Sequence, residues 1–184
     1  MRVISGTRRG KKLFSPVGDA TRPTLDSVKE SMFNLIQFDV AGSNCLDLFG
    51  GSGQLAIEAV SRGADSASVC EISREAAEVI KKNIKACGFT DNISLFTTDA
   101  LAFISNYRGR PFDIVFSDPP YGSGLCEKSL EALAKAPAAL AQSALVVCET
   151  AADAKLGETY GPLTLIKERK YGHVSIWIYR REEP

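Results

Sequence analysis

From Asn44 to the C-terminus, short apolar runs alternate with longer segments in which apolar residues recur every three or four positions. The short runs at 45–49, 66–71, 93–99, 113–118 and 144–149 read as buried strands. Between them, 53–63, 73–84 and 100–107 have helical apolar spacing. A further helix should cover much of 125–141, where Pro137 must end or kink it. Repeated strand-helix-strand order is the mark of βα units wound into a parallel sheet. At the C-terminal end, L-T-L-I-K-E-R-K-Y-G and H-V-S-I-W-I-Y-R alternate with period two around Tyr171 and Gly172, which predicts an antiparallel hairpin. The expected fold class is α/β, a mostly parallel seven-stranded sheet that closes with this hairpin.

Ahead of the sheet, T-R-P-T-L-D-S-V-K-E-S-M-F-N-L-I predicts a helix. Thr24 stands at the N-cap after a proline, Asp26 lies in the first turn, and Val28, Met32, Leu35 and Ile36 form an apolar stripe. Residues 1–20 then form a hairpin or arm. At 184 residues the chain suits one buried core. We therefore expect a small N-terminal extension over 1–40 and the sheet domain over 41–184.

The strand endings add the first chemistry. Asp47, Glu71, Asp99, Asp118 and Glu149 fall at or near the C-terminal ends of five successive strands. In an open parallel sheet those ends share one rim, and ligands bind there where the strand order reverses. D-L-F-G-G-S-G-Q-L-A also follows a strand and opens a helix, with Gly51, Gly53 and Ala56 matching the glycine pattern that lets a nucleotide approach the backbone. Glu71, eighteen residues beyond Gly53, is placed to accept hydrogen bonds from a ribose. A pyrophosphate would be repelled by Asp47, four residues before Gly51, whereas a cationic ligand would be attracted. The acidic rim therefore favours S-adenosylmethionine, which carries a sulfonium and an ammonium, over a nicotinamide dinucleotide.

The second motif is D-I-V-F-S-D-P-P-Y-G, where a strand ends on an acid and two prolines. Exocyclic amines of nucleobases are poor nucleophiles because the nitrogen lone pair is delocalised into the ring. Asp118 can accept one amino hydrogen and the Pro119 carbonyl the other, both held by the fixed φ of Pro119 and Pro120. Tyr121 offers a face on which an extruded base can stack, worth about 1–3 kcal/mol in nucleic-acid sites.

Composition narrows the remaining classes. Apolar residues make up 45% and charged residues 24%, which argues against wholesale disorder. No run approaches a membrane span and no signal-peptide core is present, so a cytoplasmic location is expected. Five cysteines stand singly, without a C-x-x-C pair, beside a lone His173, so no metal is expected. Formal charge is zero, yet the first 18 residues hold Arg2, Arg8, Arg9, Lys11 and Lys12 with no acid. Arg8, Arg9, Lys11, Lys12 and Arg22 are candidate phosphate contacts, with Lys167, Arg169 and Lys170 as additions.

Taken together, R-V-I-S-G-T-R-R-G-K-K-L, T-R-P-T, L-F-G-G-S-G, S-R-G-A, D-P-P-Y and K-Y-G resemble, from end to end, the RsmD family of bacterial 16S ribosomal RNA guanine-N2 methyltransferases. The resemblance implies a Rossmann-like class I methyltransferase acting on one guanine of 16S ribosomal RNA within the small ribosomal subunit; a monomer is expected. Carried over by position, it assigns Asp47, Phe49, Gly51, Ser52, Gly53, Glu71, Ile72, Asp99, Ala100 and Asp118 to S-adenosylmethionine. Asp118, Pro119, Pro120 and Tyr121 fall to the target base. Two departures stand out: Gly50 replaces an expected alanine, which should loosen the loop, and Ser27 and Lys29 replace arginines in the T-R-P-T helix. An adenine-N6 DNA methyltransferase is the nearest alternative, since Asp-Pro-Pro-Tyr serves either amine. A nicotinamide-dependent oxidoreductase would leave that loop unexplained, and a non-catalytic nucleic-acid module would not need the acidic rim.

Overall fold

The computed structural model describes residues 1–16 and 26–182, so the expected N-cap Thr24 and candidate contact Arg22 lie outside the described residues. One sheet contains β1 (Asn44–Asp47), β2 (Ser66–Cys70), β3 (Ile93–Phe96), β4 (Phe112–Ser117), β5 (Leu140–Ala151), β6 (Thr159–Tyr160), β7 (Leu163–Tyr171) and β8 (Val174–Arg181). Their order is β3-β2-β1-β4-β5-β8-β7-β6. The first five pair in parallel, while β8 pairs antiparallel with β5, β7 with β8 and β6 with β7. The seven expected strands are joined by an eighth at the edge, β6, whose two residues are too few to leave a period-two pattern.

Among the described residues, five α-helices cover the sheet: α1 (Asp26–Leu35), α2 (Gln54–Ser61), α3 (Arg74–Cys87), α4 (Ala100–Asn106) and α5 (Leu125–Lys135). In α3 the sequence logic is plain. Ser73 caps its start by accepting from the Ala76 amide at 3.3 Å, Gly88 ends it in a left-handed conformation, and Ala76, Ala77, Ile80, Ile84 and Cys87 form the buried stripe. Full burial of a side chain such as Ile80 stabilises by roughly 1.5–3 kcal/mol. Pro137 ends the preceding helix as expected, but Leu140 and Ala141, which the helical reading of 125–141 included, belong to β5. The apolar pattern of β5 is broken near Gln142 by a register shift and by Ser143 at φ 58°, which hid its first turn of strand.

Alternation along the strands feeds two cores. On one face, Phe33 of α1, Ile57 of α2 and Ile80 of α3 meet Ile114, Phe116 and Val147. The Phe33 and Phe116 ring centroids are 5.4 Å apart. On the other face, Ile104 of α4 and Leu130 of α5 meet Leu46, Val115 and Val146.

Residues 1–13 form a small hairpin, with Val3 donating to the Lys11 carbonyl at 2.9 Å and Gly10 to the Val3 carbonyl at 2.8 Å. Val3 and Leu13 enter the first core. Glu58, fully buried in α2, grips the hairpin: its carboxylate accepts from the Ile4 amide at 2.8 Å and the Ser5 amide at 3.0 Å. Arg62 donates to the same carboxylate at 2.7 Å, and Lys29 lies 3.6 Å from it. Lys29 is itself fully buried and donates to the Arg2 carbonyl at 2.7 Å. Burial lowers its pKa, opposed by the charge of Glu58. Lys29 thus serves docking of the hairpin and does not face outward.

Gly6 fits this interface because it has no side chain. An added Cβ would sit 1.7 Å from the Ser61 carbonyl oxygen, at a φ of +81°. Gly6→Ala should lower stability by about 2–4 kcal/mol. Gly10→Ala, equally left-handed but with open space around the added atom, should cost only about 1 kcal/mol; denaturant unfolding of the two variants checks the difference.

Candidate active site at the switch point of the sheet

Chain order reverses beside β1, which pairs with β2 on one side and β4 on the other. The crevice outside the C-terminal ends of β1 and β4 is therefore the expected ligand position. Asp47 ends β1 opposite Phe116 of β4, and the Leu48 amide prolongs the pairing by donating to the Phe116 carbonyl at 3.0 Å. Asp118 follows two residues beyond Phe116. The two acids thus flank the switch point from adjacent strands.

The glycine loop between β1 and α2 is braced against the end of β2. Gly50 donates to the Cys70 carbonyl at 2.8 Å, and Gly51 donates to Glu71 Oε2 at 2.8 Å. The other oxygen of Glu71 accepts from the Ser73 amide at 2.8 Å. Gly51 and Gly53 take left-handed φ values of +55° and +78°, and nothing lies within 4 Å of a Cβ built on Gly51. Gly50 corrects an expectation. Its missing side chain does not loosen the loop, because Val69 and Ile80 fill the space: a Cβ there would lie 2.5 Å from Val69 Cγ1 and 2.8 Å from Ile80 Cδ1.

Asp47 is buried. One oxygen accepts from the Phe49 amide at 3.3 Å, while Oδ2 has no hydrogen-bond partner among the described residues. Burial pushes its carboxyl up to about 7; the Phe49 and Ala56 amides oppose this, and the charge of Glu71 adds to it. The Cys70 thiol is pushed up to about 12, first by burial and then by the charges of Asp47, Asp99 and Glu71. Three of the five rim acids therefore act on one atom at the end of β2. Asp99 caps α4, with Oδ1 accepting from the Ala102 amide at 2.9 Å, and Ala100 is buried behind it. Ile72 projects beside Glu71 with 71% of its surface exposed, an apolar ledge on a polar rim. Phe49 is half-buried. Ser52 is buried, and its hydroxyl donates to Met1 Sδ at 2.9 Å.

Beyond β4, Asp118 is half-buried, Pro119 buried, and Pro120 and Tyr121 exposed. The Tyr121 hydroxyl donates to Glu149 Oε1 at 2.9 Å. Glu149 is buried, which raises its pKa against the opposing Tyr121 bond. A concave surface of about 390 Å³ between β3 and α4 is lined by Phe96, Thr98, Phe103 and Arg108 and includes none of these acids.

Sequence reasoning missed Asn83 of α3. It is fully buried; its side chain donates to the Ser52 carbonyl at 2.8 Å and exchanges hydrogen bonds with the main chain of Phe14 at 2.8 and 3.0 Å. Asn83 therefore ties the hairpin's end to the glycine loop. Its one sequence signal is an amide inside the apolar stripe of α3. Among the basic candidates, Arg8 donates to the Cys87 carbonyl at 2.6 Å and lies 5.3 Å over the Phe89 ring, so the fold itself engages it. Arg9, Lys11 and Lys12 are exposed and form no ion pair among the described residues.

The family described as Conserved hypothetical protein 95 matches residues 1–180. The chain belongs to this family. It is similar to ribosomal RNA small subunit methyltransferase D of Escherichia coli strain K12, with 34% identity over 182 residues covering 99% of this chain and 90% of that protein. The solved yhhF protein of Escherichia coli superposes with a TM-score of 0.85 at 33% identity, covering 100% of this chain and 99% of that one. An RNA methyltransferase from Salinibacter ruber, solved in complex with S-adenosyl-L-homocysteine, has a TM-score of 0.68 over 88% of this chain and 95% of its own. At 19% identity it shares the fold alone.

Asp47 yields a pH prediction. Its folded pKa of about 7 lies above the ordinary carboxylate value of 3.8, so between these values the native state holds the extra proton. The contribution of Asp47 to stability should be highest below the lower value and fall as pH rises through the window, by about 4 kcal/mol in all. Thermal melts of the ligand-free protein should show this decline, and Asp47→Asn should flatten it.

Proposed function

We propose that the chain transfers a methyl group from S-adenosylmethionine to the exocyclic N2 amine of a guanine in 16S ribosomal RNA, presented within the small ribosomal subunit. The observation that carries this reading is the exit of Asp118, Pro119, Pro120 and Tyr121 from β4 directly beside the glycine loop that leaves β1. Membership of a family with a ribosomal RNA small subunit methyltransferase among its close relatives supports it.

The residues fit the cofactor. Asp47 keeps a buried oxygen without a hydrogen-bond partner among the described residues, which suits a cationic ligand, and the space beside Gly51 is open. Glu71 is already oriented by the Gly51 and Ser73 amides to accept from ribose hydroxyls. Ile72 and Phe49 supply apolar surface for the adenosine, Asp99 and Ala100 border its adenine, and Ser52 and Gly53 shape the loop. When bound, S-adenosylmethionine supplies an electrophilic methyl on a sulfonium. Asp118 and the Pro119 carbonyl accept hydrogen bonds from the two amino N–H groups as the nitrogen pyramidalises, so its lone pair is freed from the ring and aimed, and the one proton the methylated amine sheds passes to Asp118 or solvent. Tyr121 stacks on the flipped base. Arg9, Lys11 and Lys12 hold phosphates, with Arg8 and Arg22 as further candidate contacts, which positions RNA without selecting the base. The enzyme acts as a monomer in the cytoplasm, where the subunit assembles.

Labelled methyl donor incubated with methyl-deficient small subunits, or with free 16S RNA, should give N2-methylguanosine on digestion to nucleosides. N6-methyladenosine would favour the adenine alternative, and absence of label in any nucleoside would overturn the reading. Asp118→Ala should lower kcat on the order of 10²–10³-fold while calorimetry shows S-adenosylhomocysteine affinity nearly unchanged.

Lys11→Ala combined with Lys12→Ala should reduce the slope of log affinity against log salt by about 1–2 for RNA. Cofactor affinity, titrated in parallel, should not change.

A further inference from the structure

Glu149 stands apart from the other rim acids. It lies one residue beyond Cys148, which pairs with Ser117, so it runs alongside Asp118 on the neighbouring strand. It points to the face shared by Leu145 and Val147, and across the antiparallel ladder it pairs with Ile176. Its neighbours on that face of β5, Leu145, Val147 and Ala151, are apolar. The alternation therefore calls for a hydrophobic residue at 149, and the sheet would be served by one. Instead a carboxyl is buried to 2% exposure, with Oε1 accepting from the Tyr121 hydroxyl and Oε2 without a hydrogen-bond partner among the described residues. Burying a carboxyl so incompletely satisfied opposes folding, so its presence is explained by the group it holds.

Tyr121 has a reason to be held. The prolines fix the backbone at 119 and 120, yet they leave the tyrosine's own side-chain torsions open. The ring is 39% exposed on a loop, and an exposed side chain changes rotamer on the picosecond to nanosecond scale. A hydroxyl anchored at the far end of the ring restrains both torsions at once.

We propose that Glu149 is a positioning residue for base capture: it tethers the Tyr121 hydroxyl so that the stacking face is set before RNA arrives. The inference rests on the methyltransferase reading for its consequence, but the tether can be observed without turnover. Glu149→Met keeps the volume and removes the acceptor, Glu149→Gln keeps an acceptor oxygen, and Tyr121→Phe removes the donor.

Two measurements on the full chain decide the matter. In protein labelled with ¹³C on tyrosine, the Tyr121 ring should be ordered in the unmodified chain, mobile in Glu149→Met and restored to order in Glu149→Gln. A ring equally ordered in all three overturns the tether, whether or not the protein methylates RNA. In the methylation assay, Glu149→Met and Tyr121→Phe should each raise the KM for RNA about 5–10-fold, with kcat changed less and S-adenosylhomocysteine affinity within twofold. The Gln variant should recover most of the loss, and the Met and Phe changes combined should be no worse than either alone. Effects that multiply, or a silent Glu149→Met beside a damaging Tyr121→Phe, overturn the positioning role. If the unmodified chain methylates no RNA, the functional reading fails and the ring-order result still decides the tether.

Discussion

Everything at the candidate site hangs on the parallel pairing of β1 with β4. These strands are distant in sequence, and their union is where the chain stops adding strands on one side and begins on the other. The register sets Asp47 against Phe116, and the Leu48 amide extends the ladder past the last strand residue of β1. A slip of one residue would turn Asp47 to the opposite face and bring an apolar side chain to the rim. The two cores make that slip costly, since Phe116 packs on Phe33 while Val115 faces the other helical layer. Hydrophobic alternation thus fixes where the polar chemistry stands.

Much of this was legible in the sequence because one signal governs both fold and site. Strands buried on both faces read as apolar runs, and the residue ending each run falls at or near the rim formed by the strand ends, so Asp47, Glu71, Asp99 and Asp118 could be placed on that rim from the sequence. The boundaries failed where a polar interruption masked continuing backbone pairing, as at Gln142 and Ser143, or where a strand was too short for periodicity, as at Thr159 and Tyr160. Asn83, Glu58 and Lys29 were out of reach for another reason. Each is a polar residue on a helix, and a lone sequence does not distinguish one turned to solvent from one fully buried with partners at distant positions.

The rim acids also separate into different physical tasks. Glu71 engages backbone amides with both oxygens and so braces the loop, Asp99 caps a helix, and Asp47 and Glu149 each keep a buried oxygen that has no hydrogen-bond partner among the described residues. A rim of similar charges would repel itself without such division. Hydrogen bonds to backbone dipoles stabilise the outer members, while low-dielectric surroundings hold Asp47 at the edge of ionisation. A cation arriving there would tip that balance.

The hairpin is gripped through its main chain. Glu58 takes the amides of Ile4 and Ser5, Lys29 takes the Arg2 carbonyl, and Ser61 accepts from the Arg8 amide while donating to the Ser5 carbonyl. None of these contacts reads the side chains at positions 4 and 5, yet neither position can become proline, which has no amide hydrogen to give. Only the residues it already turns to solvent, such as Arg9, Lys11 and Lys12, can be exchanged to alter what the segment meets without redesigning the socket beneath.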